Sequence, residues 1–160
     1  MKKYFALFLL LILTFSCRQV TDETDKASSE EHFEIPDDAE MIAYDGFSTM
    51  VGFGQREGLT ISAKYLLNDE DMNKWINNMQ TKGLKKLPLE SECKSKLWFD
   101  DKLIPIETDT GYYYCRTAGN DVLNATETEP CDEVDNLNDI IFAILDTDKK
   151  ELSVIITSGY

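Results

Sequence analysis

Histidine is nearly absent from this sequence, whose 160 residues include only His32. Ser-His-Asp and Cys-His catalytic sites need an imidazole as general base, and catalytic zinc sites usually need several. Basic side chains are also scarce, with 16 Lys and Arg against 30 Asp and Glu and a net charge of −14. Nucleic acid binding needs clustered Lys and Arg, so the charge argues against a nucleic-acid partner and against electrostatic adhesion to anionic lipid.

Motifs for several common chemistries are missing as well. The sequence has no Gly-x-x-x-x-Gly-Lys loop, and Gly52-Phe53-Gly54 lacks the third glycine of a dinucleotide site. It has no Cys-x-x-Cys pair for thioredoxin-like redox chemistry. With 160 residues, 42% of them hydrophobic, the chain has the length of one folded domain and is too apolar to be wholly disordered.

The N-terminus differs from everything that follows it. Lys2 and Lys3 precede an apolar run over residues 4–15, and Ser16-Cys17 closes this run before polar sequence begins. A membrane-spanning helix needs about 20 apolar residues, so the run is too short to span a bilayer. Its length is typical of a signal-peptide core, which predicts a signal peptide over residues 1–16.

The order of a basic start, an apolar core, a small residue and a cysteine resembles the signal sequence of bacterial lipoproteins. The resemblance implies cleavage after Ser16 and a lipid on Cys17 that anchors the protein in a membrane of the cell envelope. Arg18 stands where many inner-membrane lipoproteins carry Asp, so the resemblance favours the outer membrane, on its periplasmic or surface face. The alternative is an ordinary secretory peptide cut near Ser16, which leaves Cys17 as a free thiol.

Residues 17–34 are predicted to be the lipidated cysteine followed by a flexible, acidic tether. The stretch 18–34 has no apolar periodicity and carries six acids: Asp22, Glu23, Asp25, Glu30, Glu31 and Glu34. Such a segment buries too little apolar surface to offset the entropy of ordering, which predicts a self-repelling spacer. This interpretation places His32 outside the fold. An alternative role for the acids is a surface-export signal, as found in some lipoprotein lineages.

Residues 35–160 are predicted to form one α+β domain. Asp45-Gly46 lies between the apolar runs 40–44 and 47–53, and this dipeptide is typical of a two-residue hairpin turn. A second turn at 54–58 precedes the alternating strand 59–67, so we expect an N-terminal three-stranded meander. The main helix is predicted near residues 69–82, with Asn68 as its N-cap, an apolar stripe containing Trp75, and Gly83 at its end.

The C-terminal half is predicted to extend the same sheet. Residues 84–87 and 112–116 are expected to be short strands, whereas 140–145 and 152–157 are expected to pair as a C-terminal hairpin. Both runs of the hairpin are apolar on both faces, so at least one should be a central strand. The predicted fold is an antiparallel sheet of about six to seven strands with one main helix.

Three cysteines remain after Cys17, and an oxidising compartment favours a disulfide between two of them. A Cys115–Cys131 bond would close the acidic loop 119–138 onto its strand, and a Cys93–Cys115 bond would tie the middle of the chain to the sheet. We favour Cys115–Cys131. The neighbouring tyrosines 112–114 are expected to pack at the rim of the sheet, with exposure for recognition as the alternative.

Carboxylates supply the remaining candidates for chemistry. Asp146, Asp148 and Glu151 place oxygen ligands at short intervals and form a weak calcium candidate, although a simple hairpin turn explains them without metal. Asp100-Asp101 offers the acid and base of a glycosidase, although adjacent acids in a polar turn are more often solvated. We predict no resident metal and no cofactor.

The sequence therefore predicts a membrane-anchored, non-catalytic lipoprotein whose domain binds a partner. Cleavage after Ser16 removes two lysines and no acid, so 30 acids and 14 bases remain, with a net charge of −16. One alternative is an immunity or inhibitor lipoprotein that neutralises a basic toxin or a lysozyme-like enzyme, since strong negative charge speeds association with a basic protein. The other alternative is a carboxylate-dependent hydrolase.

Overall fold

The computed structural model describes residues 21–51, 55–89, 108–118, 128–131, 133 and 139–158. These residues form two helices, α1 at Thr21–His32 and α2 at Asp69–Gln80. They also form seven strands: β1 at Glu40–Val51, β2 at Gln55–Leu66, β3 at Lys85–Lys86, β4 at Gly111–Ala118, β5 at Glu129–Pro130, β6 at Asp139–Asp146 and β7 at Glu151–Ser158. The α+β class predicted from the sequence is confirmed.

The strands form an antiparallel sheet in the order β1-β2-β7-β6-β4, and β3 and β5 both pair with the outer edge of β4. β3 pairs at Tyr112 and Tyr113, whereas β5 pairs at Arg116 and Thr117. The two short strands therefore follow one another along the same edge. The other edge of the sheet is the long strand β1.

The predicted C-terminal hairpin is confirmed, and it occupies the centre of the sheet. Every residue of β6 is buried, as expected for a strand covered on both faces. Alternate residues of β6 enter two apolar clusters, so the clusters lie on opposite faces. The first contains Ile141, Ala143 and Leu145 with Phe33, Trp75 and Met79. The second contains Ile140, Phe142 and Ile144 with Tyr113, Cys115, Cys131 and Ile155.

The predicted main helix is also confirmed, as α2. Asn68 caps it, because its side-chain oxygen accepts a hydrogen bond from the backbone N–H of Asp71 at 2.9 Å. Trp75 and Met79 are fully buried in the first cluster. The chain leaves α2 through Gly83 at φ +102°, a conformation that favours glycine. α2 therefore covers one face of the sheet.

The predicted turn at Asp45-Gly46 is wrong, because β1 continues through both residues. Residues 55–58, predicted as a second turn, belong to β2, so the expected meander is a hairpin of two 12-residue strands. Gly46 does not adopt a positive φ. A Cβ atom there would lie 2.7 Å from the Tyr44 hydroxyl oxygen, so the glycine makes room for this side chain.

The predicted flexible tether is wrong for residues 21–34. Residues 21–32 form α1, and Phe33, directly after it, is fully buried in the same cluster as Trp75. Ser29, one turn before Phe33, is buried too. Among the side chains of α1 that the structure describes, Ser29 is the buried one, so α1 has no apolar stripe like that of α2. Residues 17–20 lie outside the described residues.

Candidate functional site

A groove of about 480 Å³ lies between α1 and the start of β1. Its acidic lining residues are Glu30, Glu31, Glu34 and Asp37, and its basic lining residue is Lys26. Its other lining residues are Ile35, Pro36, Ala39, Met41 and Tyr65. Because acids outnumber bases in this lining, the groove fits a positively charged group better than an anion.

Tyr65 on β2 connects the sheet to α1 at this groove. Its hydroxyl group donates a hydrogen bond to Oε1 of Glu30 at 3.2 Å. Burial, followed by the charge of Glu30 and this hydrogen bond, raises the pKa of Tyr65. The phenol therefore stays protonated and donates to Glu30 throughout the physiological pH range.

Contacts from α2 and the turn after it hold the C-terminal end of α1. Nε1 of Trp75 donates to the backbone carbonyl of Phe33 at 2.9 Å. Nζ of Lys82 forms an ion pair with Glu34 at 2.6 Å and donates to the backbone carbonyl of His32 at 3.4 Å. The acidic wall of the groove is thus fixed against the core by both apolar and polar contacts.

His32 packs at this junction, so the prediction that it lies outside the fold is wrong. Its ring meets the ring of Phe33 edge to face, with centroids 5.5 Å apart. Burial, followed by the positive charge of Lys82, lowers the pKa of His32 below its ordinary value of 6.5. Nε2 is buried without a hydrogen-bond partner among the described residues.

The outer edge of β1 borders the groove. Met41 lines the groove, and the next residue, Ile42, interrupts the regular pairing with β2. Ile42 is 46% exposed and Leu66 is 41% exposed, and they are the large exposed apolar side chains of the described residues. Leu66 pairs with Glu40 across the hairpin, so both apolar residues lie at the end of the hairpin that adjoins α1.

The opposite edge of the sheet is closed by several contacts. The structure contains the favoured disulfide, Cys115–Cys131, which joins β4 to the residue that follows β5. Nε of Arg116 donates to the Thr128 hydroxyl at 3.0 Å, and its guanidinium also donates to the Thr128 carbonyl. Tyr113 is buried beside Cys115 in the second cluster, whereas Tyr114 enters the first. These two tyrosines are therefore not available for the recognition role considered as an alternative.

The calcium candidate forms a hairpin turn whose carboxylates have protein partners. Oδ1 of Asp146 accepts backbone N–H groups of Asp148 and Lys149, each at 3.0 Å. Asp148 accepts a hydrogen bond from the hydroxyl of Thr110 at 2.8 Å, and Glu151 pairs with Lys64 at 3.3 Å. Within the described ranges no three acids, histidines or cysteines cluster as metal ligands. These contacts are those of a hairpin turn, which is the alternative explanation for the spacing of the three carboxylates.

Asp146 shows how strongly this turn is organised. Burial alone would raise the pKa of its carboxyl group, but hydrogen bonds from Lys149 and Thr108 and the charge of Lys149 outweigh it, and the pKa is lowered. The ionised carboxylate therefore stabilises the turn between β6 and β7.

Other predicted residues lie outside the described part of the chain. They are Cys17, Cys93, the Asp100-Asp101 pair and most of the acidic loop 119–138, of which 128–131 and 133 are described. The sequence does not predict the groove at α1, because it predicts a flexible tether where α1 lies.

Comparisons with known protein families, with curated proteins and with solved structures found no match to this chain. In the part of the chain that the structure describes, no helix is long and apolar enough to cross a membrane. The acidic groove and the strand β1 beside it, on whose outer side no described strand pairs, are the features on which a function can be argued.

Proposed function

We propose that this protein is a lipid-anchored lipoprotein of the bacterial cell envelope whose folded domain binds a partner without catalysis. The observation that carries the proposal is the ordered N-terminal pattern of Lys2-Lys3, the apolar run 4–15 and Ser16-Cys17. The lipid on Cys17 is the proposed anchor, and the outer membrane is its proposed location.

The position of α1 supports a domain held close to its membrane. Three residues separate Cys17 from Thr21, where α1 begins. At roughly 3.5 Å per residue, an extended connection spans about 14 Å. A docked α1 therefore gives the domain a short reach from the lipid, in place of the long spacer expected from the sequence.

Removal of the anchor cysteine tests the proposal. We expect the full-length protein, expressed with its own signal peptide, to fractionate with membranes and to incorporate a labelled fatty acid. A Cys17→Ala variant should lose both properties, whereas the matched variant Cys93→Ala should keep both. Membrane association and labelling that persist in Cys17→Ala would contradict the proposal.

The acidic groove favours a second, more specific candidate, an immunity or inhibitor lipoprotein that neutralises a basic toxin or a lysozyme-like enzyme. Four of the five charged residues that line the groove are acids. Surface charges of opposite sign accelerate association, and salt screens them over about 10 Å at 0.1 M. The carboxylate-dependent hydrolase stays a sequence-based prediction, since its Asp100-Asp101 pair lies outside the described residues.

Inhibition of a basic muramidase at low and high salt tests the inhibitor candidate. We expect the protein to slow the enzyme at low ionic strength and to lose most of this effect at high ionic strength. Substitution of Glu31 and Asp37 by lysine should weaken the inhibition at low salt. Equal inhibition at both salt concentrations, or none at either, would contradict this candidate.

A further inference from the structure

We infer that the outer edge of β1 docks an extended, cationic segment of a partner protein, which adds a strand to the sheet and places Lys or Arg side chains in the acidic groove. This inference rests on the proposed binding function. It specifies the surface used and the chemistry of the segment that binds there.

The first argument is the length and composition of the edge. β1 is 12 residues long, and among the described strands it pairs with β2 alone, so it stands at one end of the sheet order. Proteins usually protect such an edge with Lys, Pro, bulges or a covering segment. β1 contains no Lys, Arg or Pro. Its irregularities lie between Met41 and Ala43 and between Thr49 and Met50, so regular pairing geometry continues over 43–49. This stretch is as long as a typical strand of about five to six residues.

The second argument is what lies on each side of that edge. Side chains of an added strand alternate between the two faces of the sheet. On the helix-covered face, Met41 and Tyr65 line the acidic groove. Leu66 follows Tyr65 in β2 and therefore lies on the opposite face, and the exposed Ile42 stands at the irregularity between Met41 and Ala43. A strand with alternating basic and apolar residues therefore matches both faces at once.

The third argument is charge, which selects the partner. Residues 27–55 contain no Lys or Arg and seven acids: Glu30, Glu31, Glu34, Asp37, Asp38, Glu40 and Asp45. A second copy of this chain would bring an equally acidic edge alongside, and like charges across a strand pair are destabilising. A Lys- or Arg-rich segment replaces that repulsion with attraction. The partner strand is therefore cationic and comes from another protein.

A synthetic peptide tests the inference with the full-length protein. The probe is a ten-residue peptide of alternating lysine and valine, and its binding is measured by isothermal titration calorimetry. The matched control peptide has the same sequence with an N-methyl group on every backbone amide, which keeps its charge but removes the N–H donors of both of its edges. We expect the unmodified peptide to bind at least about tenfold more tightly, since several backbone hydrogen bonds are lost in the control.

Two charge-reversal variants locate the site. Glu40→Lys combined with Asp45→Lys changes two exposed residues of β1, whereas Glu129→Lys combined with Glu133→Lys changes two exposed residues near the opposite edge. The two double variants have the same net charge. We expect the first to weaken binding about tenfold and the second to change it less than about twofold. Circular dichroism melting verifies that both variants fold.

Each other outcome would overturn part of the proposal. Equal binding of both peptides would reject strand addition and leave the basic-partner function standing. Equal weakening by both double variants would reject the β1 edge as the site. No binding of either peptide would overturn this inference, whereas the basic-partner function is judged by the muramidase experiment and the anchor at Cys17 by its own. Pairing of two copies through β1 would replace the cationic partner with a second copy.

Discussion

The two edges of the sheet are built in opposite ways. At one edge, β4 is partly covered by β3 and β5, and the Cys115–Cys131 disulfide fastens the covering segment. At the other edge, β1 is long, has no Lys, Arg or Pro, and has an acidic groove beside it. An exposed edge is an aggregation hazard that proteins ordinarily protect. The contrast supports the proposal that the β4 edge serves stability, whereas the β1 edge, on whose outer side no described strand pairs, serves binding.

The two edges also differ in what holds their neighbouring segments. A covalent bond holds β5 and the residue after it against β4. Noncovalent contacts hold α1 beside β1, through buried Phe33, the Trp75 hydrogen bond to its carbonyl, and the Tyr65 hydrogen bond to Glu30. Variants at these positions should therefore show whether the stability of one edge can be changed without affecting the other.

The largest effect is expected from Phe33→Ala. Phe33 is fully buried, and truncation of a buried phenylalanine typically costs about 3–5 kcal/mol. We expect a loss of this size in the free energy of unfolding, measured with urea, and loss of protection of α1 from proteolysis. The matched variant Ile42→Ala alters an exposed residue and should change stability by less than about 0.5 kcal/mol. A stability loss below about 1 kcal/mol in Phe33→Ala would show that α1 is not fastened through this side chain.

The next largest effect is expected at the closed edge. The Cys115–Cys131 bond spans 16 residues of sequence, and a disulfide across a loop of about this length contributes roughly 3 kcal/mol. The double variant Cys115→Ser with Cys131→Ser should lose about that much stability in urea unfolding without reductant. Binding of the lysine–valine peptide should stay unchanged, because the peptide docks at the other edge. A large loss of peptide binding would contradict the view that the two edges act independently.

A smaller effect is expected from Tyr65→Phe. The variant removes one hydrogen bond, from the Tyr65 hydroxyl to Glu30, and such bonds contribute about 1 kcal/mol. We expect a loss of this size in urea unfolding and faster proteolysis within α1. Tyr112→Phe, at a half-buried tyrosine near the other edge, serves as the matched control and should leave α1 protected. Equal effects of the two variants would show that the Glu30 contact does not hold α1.

The smallest effect is expected from pH. The pKa of His32 is lowered in the folded protein, so the unfolded chain binds a proton more readily. The stabilisation by neutral His32 is fully present above the ordinary pKa of 6.5 and declines as pH falls from there toward the folded value. Urea unfolding at about pH 7.5 and about pH 5.5 should show lower stability at the acidic pH, and His32→Gln should reduce that difference. An unchanged pH dependence in His32→Gln would reject this role.

The centre of the fold was predictable because local and tertiary signals agree there. The runs 140–145 and 152–157 are apolar on both faces, and the structure places them in the centre of the sheet. α2 has an N-cap, a buried apolar stripe and a glycine at the position that needs positive φ. When the local sequence preference and the tertiary packing of a segment agree in this way, its structure can be predicted from the sequence.

The α1 and β1 segments were misinterpreted because their local signals point elsewhere. α1 ends in a C-terminal motif with Glu34 at φ +50°, where glycine is the usual residue, and hydrogen bonds from Glu34 to Glu31 and from Ile35 to Glu30 close it. Asp45-Gly46 has the composition of a turn, but Gly46 serves to accommodate Tyr44. The buried Phe33 fastens α1 to the core, and the Tyr44 side chain occupies the space beside Gly46, so packing overrides the local preference in both places.

The groove could not be predicted before α1 was placed, because its lining comes from α1, the segment after it, β1 and β2. The sequence did contain one usable signal, the absence of Lys and Arg over residues 27–55. Residues 27–34 of this stretch belong to the segment predicted to be a tether, whereas 35–55 belong to the predicted domain. Because α1 packs against the sheet, the same acids lie beside a strand edge, where the proposed docking uses their charge to select a partner.

Backbone amide hydrogen exchange, followed residue by residue with and without the lysine–valine peptide, tests most directly whether β1 is an open docking edge. In the free protein, we predict rapid exchange at alternate amides of β1 between Ala43 and Thr49, whose N–H groups point away from β2, and slow exchange along β4. Addition of the peptide should slow those β1 amides and leave β4, β3 and β5 unchanged. Slowed exchange at the β4 edge, or no change along β1, would contradict the assignment of the binding edge.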